Sequence, residues 1–310
     1  MRLKNLIIKL GARGDVLRTT PLLYALSGDN YWVTREESIT ILPTSKELIK
    51  QVVDINIAEA ALQDMIFDLV LCLDDDLEAA DLAGKVNKRM IIGSGLNSFN
   101  NLAYTDSSAA WFDMGLISKF SKETADRLKI NNKKTYQEII FEMIGKKFNG
   151  EEYALNSKSN LIYKDRDRKI IGLESRAGER WLSKKWNKYK QLGDILSQDG
   201  FEVRVFQQKD TIQEYINDIS ECDVIVTGDT LALHIALALK IKVAAIFICT
   251  SPNEIFGYGR MVKIISPFLE KAFYRKEYIR EAVETVSLDD VYRAVKTMVE
   301  EKSGCSKVLP

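Results

Sequence analysis

A motif near the N-terminus, KLGARGD at residues 9–15, has residue types suited to acid–base chemistry. It lies between a short apolar run typical of a buried strand and a stretch with helical spacing. Its two glycines let the backbone turn tightly and approach a ligand closely. A carboxylate at the start of the helix, Asp15, could accept the proton of a sugar hydroxyl. The alternative is that Asp15 caps the helix by accepting hydrogen bonds from free backbone N–H groups.

A second motif, RAGERWLSKKW at residues 176–186, gathers cations around a glycine-containing turn. Because it follows a predicted strand, Arg180 and Lys184 are expected near the carboxyl edge of a sheet, where they could neutralise a diphosphate leaving group. The alternative is a solvated basic loop in which Trp181 and Trp186 pack on the domain. Spacing alone leaves both interpretations open.

A third motif joins Thr227, Gly228, Asp229 and Thr230 at a predicted strand-to-helix junction, and His234 follows about one turn along. The N-terminus of a helix presents unpaired N–H groups that favour an anion, and Thr230 adds a hydroxyl donor. In the alternative interpretation, Asp229 or Thr230 is a simple cap and His234 is a hydrogen-bonded core residue.

A run of three aspartates at residues 74–76 is a candidate metal site, because a D-x-D pair can hold a divalent cation with a nucleotide diphosphate. A polar loop with a helix cap is favoured here, since no other metal ligands stand out. The chain contains a single histidine, so metal sites with two or more histidine ligands from one chain are excluded. We therefore expect no metal.

The overall composition narrows the classes of function. Lys plus Arg (44) equals Asp plus Glu (44), and this zero net charge argues against broad binding to nucleic acid. The N-terminal apolar stretch is too short for a signal peptide and is interrupted by Lys9. The most apolar region, residues 231–249, is broken by Lys240 and Lys242, so no membrane span is expected. The sequence therefore predicts a cytoplasmic protein.

Alternating apolar strands and helical stretches predict two α/β domains, each with a doubly wound parallel sheet, at residues 1–158 and 159–310. In the first domain, strands are predicted at residues 5–10, 38–42, 67–73 and 89–92, and helices at 16–26, 46–53 and 135–148. Pro21 within the first of these helices predicts a kink, or a helix start after Thr20. In the second domain, strands are predicted at residues 170–174, 203–206, 224–227, 243–247 and 262–265, and helices at 186–198, 230–239 and 288–300. Ligands are expected beyond the carboxyl ends of the strands, in a cleft between the domains.

Three stretches together resemble the family 9 glycosyltransferases, whose best-known members are the ADP-heptose:lipopolysaccharide heptosyltransferases. They are KLGARGDVLRTTPLLYAL at residues 9–26, TGDTLALH at residues 227–234 and TSPNEIFGYG at residues 250–259. The resemblance spans both domains and implies the GT-B fold, in which two Rossmann-like domains with parallel sheets face each other across a cleft. It also implies an inverting transferase of lipopolysaccharide biosynthesis that uses no catalytic metal.

The resemblance also implies roles for single residues. The catalytic aspartate of the family falls on Asp15, and the phosphate-binding lysine falls on Lys184. The D-T pair that meets the donor pyrophosphate falls on Asp229 and Thr230, and the family histidine falls on His234.

Further candidates flank these positions. Arg180 and Thr227 join the donor-binding set. Gly14, Arg13 and Arg18 surround Asp15, and the two arginines could engage phosphates or carboxylates of the acceptor. The alternative is that both arginines are solvated charges at the start of the helix.

The resemblance implies ligands as well. The nucleotide sugar is expected to be a substrate, linked to ADP, and no cofactor is expected. The acceptor is expected to be a glycan or glycolipid of the lipopolysaccharide type. Contact with the inner membrane face would be peripheral at most, because no amphipathic anchor is evident.

Departures from the family pattern leave two alternatives open. Leu231 stands where relatives often have the glycine of D-T-G, and residues 248–250 read ICT where G-P-T is usual. Residues 207–210 offer no clear match for the acidic nucleotide contact of some relatives. The chain could therefore be a GT-B enzyme that uses or hydrolyses another nucleotide sugar, or a degenerate nucleotide-sugar binding module.

Overall fold

The structure, a computed structural model, describes residues 2–157 and 168–300. The chain divides into two compact units, Met1–Asn156 (the N-terminal unit) and Ser157–Pro310 (the C-terminal unit). The domain boundary predicted between residues 158 and 159 lies outside the described residues.

The N-terminal unit is built on a mainly parallel sheet. Its strands within residues 2–157 are β1 (Lys4–Ile8), β2 (Asp29–Thr34), β3 (Gln51–Asp54), β4 (Ile66–Phe67), β5 (Leu69–Cys72), β6 (Asn87–Lys88), β7 (Ile91–Leu96) and β8 (Leu102–Tyr104). The main sheet has the order β3-β2-β1-β5-β7-β8, while β4 pairs separately with β6. Only the β7–β8 pairing among these strands is antiparallel. The strand order reverses between β1 and β5, which leaves a crevice for ligands at their carboxyl ends.

Short helices connect these strands. They are α1 (Arg13–Thr19), α2 (Leu22–Ala25), α3 (Glu36–Ile39), α4 (Ile55–Leu62), α5 (Leu77–Lys85), α6 (Ala109–Phe112), α7 (Lys122–Asn131) and α8 (Tyr136–Met143). The helix predicted over residues 16–26 is split, because Pro21 serves as the N-cap of α2 and cannot continue the hydrogen bonding of α1. A capping box of Thr135 and Glu138 fixes the start of α8.

The strand predicted at residues 38–42 is wrong. These residues contain the end of α3 and the turn after it. Two glutamates, Glu36 and Glu37, lie in the first turn of α3, where negative charge is favoured by the helix dipole. The apolar residues Ile41 and Leu42 are buried in that turn, which explains why they resemble a strand in the sequence.

The helix predicted at residues 46–53 is also wrong, because these residues run through a turn into β3. Val52 and Val53 are β-branched and suit a strand that pairs with β2. Strand β2 itself was not predicted, because it begins with polar residues; it buries Trp32 and Val33.

The C-terminal unit contains a fully parallel sheet. Its strands within residues 168–300 are β9 (Ile170–Glu174), β10 (Glu202–Val205), β11 (Val224–Gly228), β12 (Lys242–Phe247) and β13 (Met261–Ile265). Their order is β10-β9-β11-β12-β13, so the strand order reverses between β9 and β11. All five predicted strands of this unit are confirmed, and each boundary agrees within one residue.

The helices of the C-terminal unit cover this sheet. They are α9 (Tyr189–Gln198), α10 (Ile212–Ser220), α11 (Leu231–Ala238), α12 (Leu269–Ala272), α13 (Arg280–Glu284) and α14 (Leu288–Glu300). The three helices predicted at residues 186–198, 230–239 and 288–300 are confirmed as α9, α11 and α14. Along the described ranges, no helix is both long and apolar enough to cross a membrane.

Three cysteines, Cys72, Cys222 and Cys249, are buried as free thiols in this fold. Burial raises the pKa of the Cys72 thiol to about 12. Burial also raises the pKa of the Cys249 thiol to about 12. At neutral pH both therefore act as small apolar core residues and not as nucleophiles.

Candidate functional site

Asp15 lies at the carboxyl edge of the N-terminal sheet, in the first turn of α1. Its Oδ1 is 2.9 Å from Nη2 of Arg18, and its side chain is 40% exposed. The N-cap of α1 is Ala12, so Asp15 is not the simple cap that the alternative interpretation supposed. The carboxylate is thus accessible to a ligand and held by a cation from its own helix.

Arg18 is much less accessible than Asp15. Its side chain is 12% exposed, and its guanidinium carbon lies 4.2 Å from the centre of the Tyr136 ring. The ring of Trp111 lies on it as well, at 5.6 Å. Arg13 differs, because its Nε donates to the backbone oxygen of Glu37 at 2.7 Å in an exposed position.

A buried ion pair that was not predicted from the sequence lies next to Asp15. Lys9 Nζ is 2.7 Å from Asp74 Oδ1, and it also donates to the backbone oxygen of Leu73 at 2.9 Å. The other oxygen of Asp74 accepts from the backbone N–H of Leu10. The pair forms because Lys9 and Asp74 follow the adjacent parallel strands β1 and β5.

The charge of Lys9 is strongly stabilised in this position. Burial opposes the charged ammonium, but the combined field of Asp74, Tyr136 and Asp15 and the hydrogen bond to Asp74 outweigh it. The pKa of Lys9 is consequently raised above its ordinary value of 10.5. Gly11 leaves room for the pair, since a Cβ there would lie 3.2 Å from Asp74 Oδ1.

Two of the three aspartates at residues 74–76 have separate structural roles. Asp74 binds Lys9, and Asp76 caps α5 by accepting from the backbone N–H of Ala79 at 2.8 Å. The favoured prediction of a polar loop with a helix cap is therefore confirmed. Among the residues that the structure describes, no group of three or more His, Cys, Asp or Glu side chains could hold a metal ion.

In the C-terminal unit, Lys184 and Asp229 meet at the carboxyl end of β11. Lys184 lies in a 3-10 turn, Leu182–Lys184. Its Nζ donates to the backbone oxygen of Asp229 at 2.8 Å and lies 3.3 Å from Asp229 Oδ2. Both side chains are partly exposed, at 18% and 19%. The structure thus brings together two residues that are far apart in the sequence.

The start of α11 completes this cluster. Thr230 is the N-cap residue, yet its side chain makes no capping hydrogen bond. Its hydroxyl instead shares a 2.8 Å hydrogen bond with that of Thr227. His234 is 4% exposed, and its Nε2 lies 3.9 Å from Asp229 Oδ1. A hydroxyl pair, an ammonium and a helix N-terminus therefore lie together at the carboxyl end of one strand.

Arg180 lies apart from the hydrogen bonds of this cluster. It is exposed, and its guanidinium stacks 5.0 Å from the ring centre of Trp181. Trp181 packs edge-on against Tyr274, whereas Trp186 is buried and donates to the backbone oxygen of Val286 at 3.3 Å. The loop thus has features of both interpretations. Its two tryptophans are packed, as expected for a structural loop, while Lys184 is held at the end of β11 by Asp229, as expected for a binding site.

A buried carboxylate at the end of β9 was likewise not predicted from the sequence. Glu174 is 3% exposed and accepts from Arg176 through both carboxylate oxygens, and from the hydroxyl of Tyr215. Glu174 pairs in register with Thr227, so this network adjoins the β11 cluster. A charged residue ending the apolar run IIGLE was the signal that could have identified it.

Comparisons with known proteins agree with this architecture. The family model "Glycosyltransferase family 9 (heptosyltransferase)" matches residues 209–281. No curated protein matches the chain significantly by sequence. A family 9 glycosyl transferase from Veillonella parvula is similar in structure, with 16% identity, coverage of 96% of this chain and 98% of that one, and a TM-score of 0.65.

Two E. coli structures are similar to the same extent. Heptosyltransferase WaaC has 16% identity and a TM-score of 0.62, with coverage of 96% of this chain and 100% of that one. ADP-heptose lps heptosyltransferase II has 13% identity and a TM-score of 0.66, with coverage of 96% and 98%. The fold is therefore that of two Rossmann-like domains of the GT-B type. Together with the family-model match, it makes the chain a glycosyltransferase that resembles family 9.

Proposed function

We propose that this glycosyltransferase moves heptose from ADP-heptose to a hydroxyl of a glycan or glycolipid acceptor, with inversion and without a catalytic metal. The observation that carries the proposal is the cluster of Lys184, Asp229, Thr230 and His234 at the carboxyl end of β11. It provides a cation, a hydroxyl and a helix N-terminus, which together suit a nucleoside diphosphate.

The proposed reaction is one in-line displacement at the anomeric carbon. Asp15 takes the proton of the acceptor hydroxyl as its oxygen bonds to that carbon, while the bond to the diphosphate oxygen breaks. The leaving diphosphate then gains negative charge. Lys184, Thr230 and the start of α11 stabilise that charge, which is the role that a metal ion has in other transferases.

The donor is the least constrained part of the proposal. One similar E. coli structure is described as WaaC with ADP, and another as WaaC with ADP-2-deoxy-2-fluoro heptose. These descriptions make ADP the first nucleotide to test. Leu231 and residues 207–210 are the positions at which this chain departs from the family pattern, so the base and the sugar must be tested together.

The remaining assignments are proposals of the same kind. Thr227 orients Thr230 through their shared hydrogen bond. Arg180 adds a more distant positive charge to the donor site. Gly14 and Arg13 lie on the acceptor side of Asp15, and we expect a membrane-bound acceptor to be reached by peripheral contact only.

The test is calorimetric titration of the purified chain with ADP, GDP and UDP in the presence of EDTA. Selective binding of ADP that is lost in Lys184→Ala supports the ADP-linked donor. Preference for another base keeps the transferase but discards ADP-heptose. Release of nucleoside diphosphate from a nucleotide sugar without an acceptor would favour hydrolysis, and failure of all three nucleotides to bind would favour a degenerate binding module.

A further inference from the structure

Four charged residues of alternating sign adjoin one another around Gly11. Asp74 pairs with Lys9 at 2.7 Å, and Asp15 pairs with Arg18 at 2.9 Å. The two pairs are coupled, because the ammonium of Lys9 also feels the field of the Asp15 carboxylate. A Cβ on Gly11 would lie 3.5 Å from Lys9 Nζ and 3.6 Å from Asp15 Cβ, so both side chains lie against this glycine.

The two cations differ in what they neutralise. Lys9 is committed to Asp74, which it contacts inside the protein with side-chain exposures of 10% and 7%. Arg18 contacts the carboxylate of Asp15 directly, at 2.9 Å. Arg18 is therefore a cation in direct contact with Asp15, while Lys9 acts on Asp15 through a field that its contact with Asp74 largely cancels.

The surroundings of Arg18 fix its guanidinium in place. It lies over the ring of Tyr136, whose own hydroxyl is hydrogen-bonded to Thr19 at 2.9 Å. The backbone oxygen of Arg18 accepts from Gln137 at 3.0 Å, which ties α1 to α8. A stacked and largely buried guanidinium has little freedom to leave the carboxylate.

Exposure shows which member of the pair meets a ligand. The Asp15 side chain is 40% exposed, whereas that of Arg18 is 12% exposed. The carboxylate is therefore the more accessible member of the pair.

We propose that Arg18 is a positioning residue, which keeps the Asp15 carboxylate ionised and oriented for proton transfer. This inference rests on the proposed function, because it takes Asp15 to be the base. A base must be ionised before it can accept a proton, and an adjacent cation favours the ionised form. Lys9 at the end of β1 and Tyr136 on α8 are further titratable groups that interact electrostatically with Asp15.

The test is a direct titration of Asp15. Protein labelled with ¹³C at the aspartate carboxyl carbons is titrated by NMR, and the Asp15 signal is assigned by its loss in Asp15→Asn. We expect Asp15 to titrate about one pH unit higher in Arg18→Met than in the wild type, because an opposite charge within a few ångströms shifts a carboxyl by that order. Arg18→Lys should restore most of the shift.

The matched control is Arg13→Met, since Arg13 lies on the same helix but donates to the backbone of Glu37. It should leave the titration of Asp15 unchanged. If Arg18→Met fails to fold, Arg18→Gln removes the charge with a smaller change in polarity. An unchanged titration in the folded neutral variant, or an equal shift in Arg13→Met, overturns the inference.

A transfer assay separates this inference from the proposed function. With Asp15 as the base, Arg18→Met should also move the acid limb of the kcat profile to higher pH, which lost packing alone would not do. Full transfer by Asp15→Asn would refute the proposed function, although the NMR result on the ion pair would stand. Loss of transfer in Asp15→Asn with no change in the NMR titration of Arg18→Met would refute only the positioning role.

Discussion

The two units place opposite charges at equivalent points of their sheets. In the N-terminal unit, the reversal of strand order between β1 and β5 presents a carboxylate, Asp15, with paired charges beneath it. In the C-terminal unit, the reversal between β9 and β11 presents the ammonium of Lys184 and the hydroxyl of Thr230. The fold thus determines where each site lies, at the point where the strand order reverses. The residue types at that point determine whether the site suits proton transfer or the binding of an anion.

The two edges also differ in how deeply their ion pairs are buried. Lys9 and Asp74 have side-chain exposures of 10% and 7%, against 18% and 19% for Lys184 and Asp229. A deep pair is part of the core, and removing one partner leaves a buried charge without compensation. A shallower pair can exchange its partner for a ligand. Substitutions in the Lys9–Asp74 pair should therefore mainly lower the stability of the protein. Substitutions in the Lys184–Asp229 pair should mainly weaken ligand binding.

The largest effect is expected from Asp15→Asn, which removes the proposed base without changing its size. Transfer should fall by about 10³-fold, the order that general-base catalysis contributes. ADP affinity, measured by calorimetry, should stay within about twofold because the donor cluster lies in the other unit. Transfer at a rate near that of the wild type would remove Asp15 from the mechanism.

The next largest effect is expected from Lys9→Met, which leaves the buried Asp74 without its cation. The free energy of unfolding should fall by about 3–5 kcal/mol in urea denaturation. A double variant, Lys9→Met with Asp74→Leu, should recover most of the loss because no buried charge remains. A single variant as stable as the wild type would show that the pair does not support the core.

The pH dependence of this loss follows from the raised pKa of Lys9. A cation whose pKa is higher in the folded state contributes its stabilisation fully below the unfolded value of 10.5. The contribution is lost as the pH rises through the folded value. The difference between wild type and Lys9→Met should therefore be constant from about pH 6 to 9 and shrink only above about pH 10.5. A difference that shrinks near neutral pH would contradict the assignment.

A smaller effect is expected from Lys184→Ala, and it should appear in binding. Losing one hydrogen bond from a cation to phosphate should weaken ADP binding by about 10–100-fold, while the free energy of unfolding changes by less than about 1 kcal/mol. Lys185→Ala is the matched control, since Lys185 is the adjacent exposed lysine. An equal loss of affinity in both variants would indicate general electrostatic attraction instead of a specific contact.

The smallest effect is expected from Arg180→Ala. Its guanidinium is exposed and stacks on Trp181, so solvent screens its charge. ADP affinity at low salt should fall by about two- to threefold, and about 0.5 M salt should abolish the difference. A loss as large as that of Lys184→Ala would place Arg180 in direct contact with the diphosphate.

The sequence predicted the C-terminal unit better than the N-terminal unit for a physical reason. Strands buried on both faces, such as IIGLE of β9 and VIVTG of β11, are continuous apolar runs that stand out from their surroundings. The flanking strands β2 and β3 begin with polar residues, and the nearby apolar run SITIL lies in a helix and turn. Near this edge of the N-terminal sheet, the apolar content of a segment was therefore a misleading guide to whether the segment forms a strand.

The candidate site was predictable only where its residues share a local motif. Asp15, Asp229 and Thr230 were identified because each follows a strand within a few residues. The pairing of Lys9 with Asp74 depends on β1 and β5 being neighbours, and the strand order is not readable from spacing. The burial of Arg18 under Tyr136 likewise required the packing of α8 against α1.

Each unit contains a buried thiol whose chemical modification can report the transient opening of that unit. Cys72 lies on β5 in the N-terminal unit, and Cys249 follows β12 in the C-terminal unit. Because both are shielded and protonated in the native state, an alkylating reagent can modify them only when the surrounding structure transiently opens. Brief exposure to iodoacetamide during a denaturant series, followed by peptide mass spectrometry, would report whether the two units unfold together or one before the other.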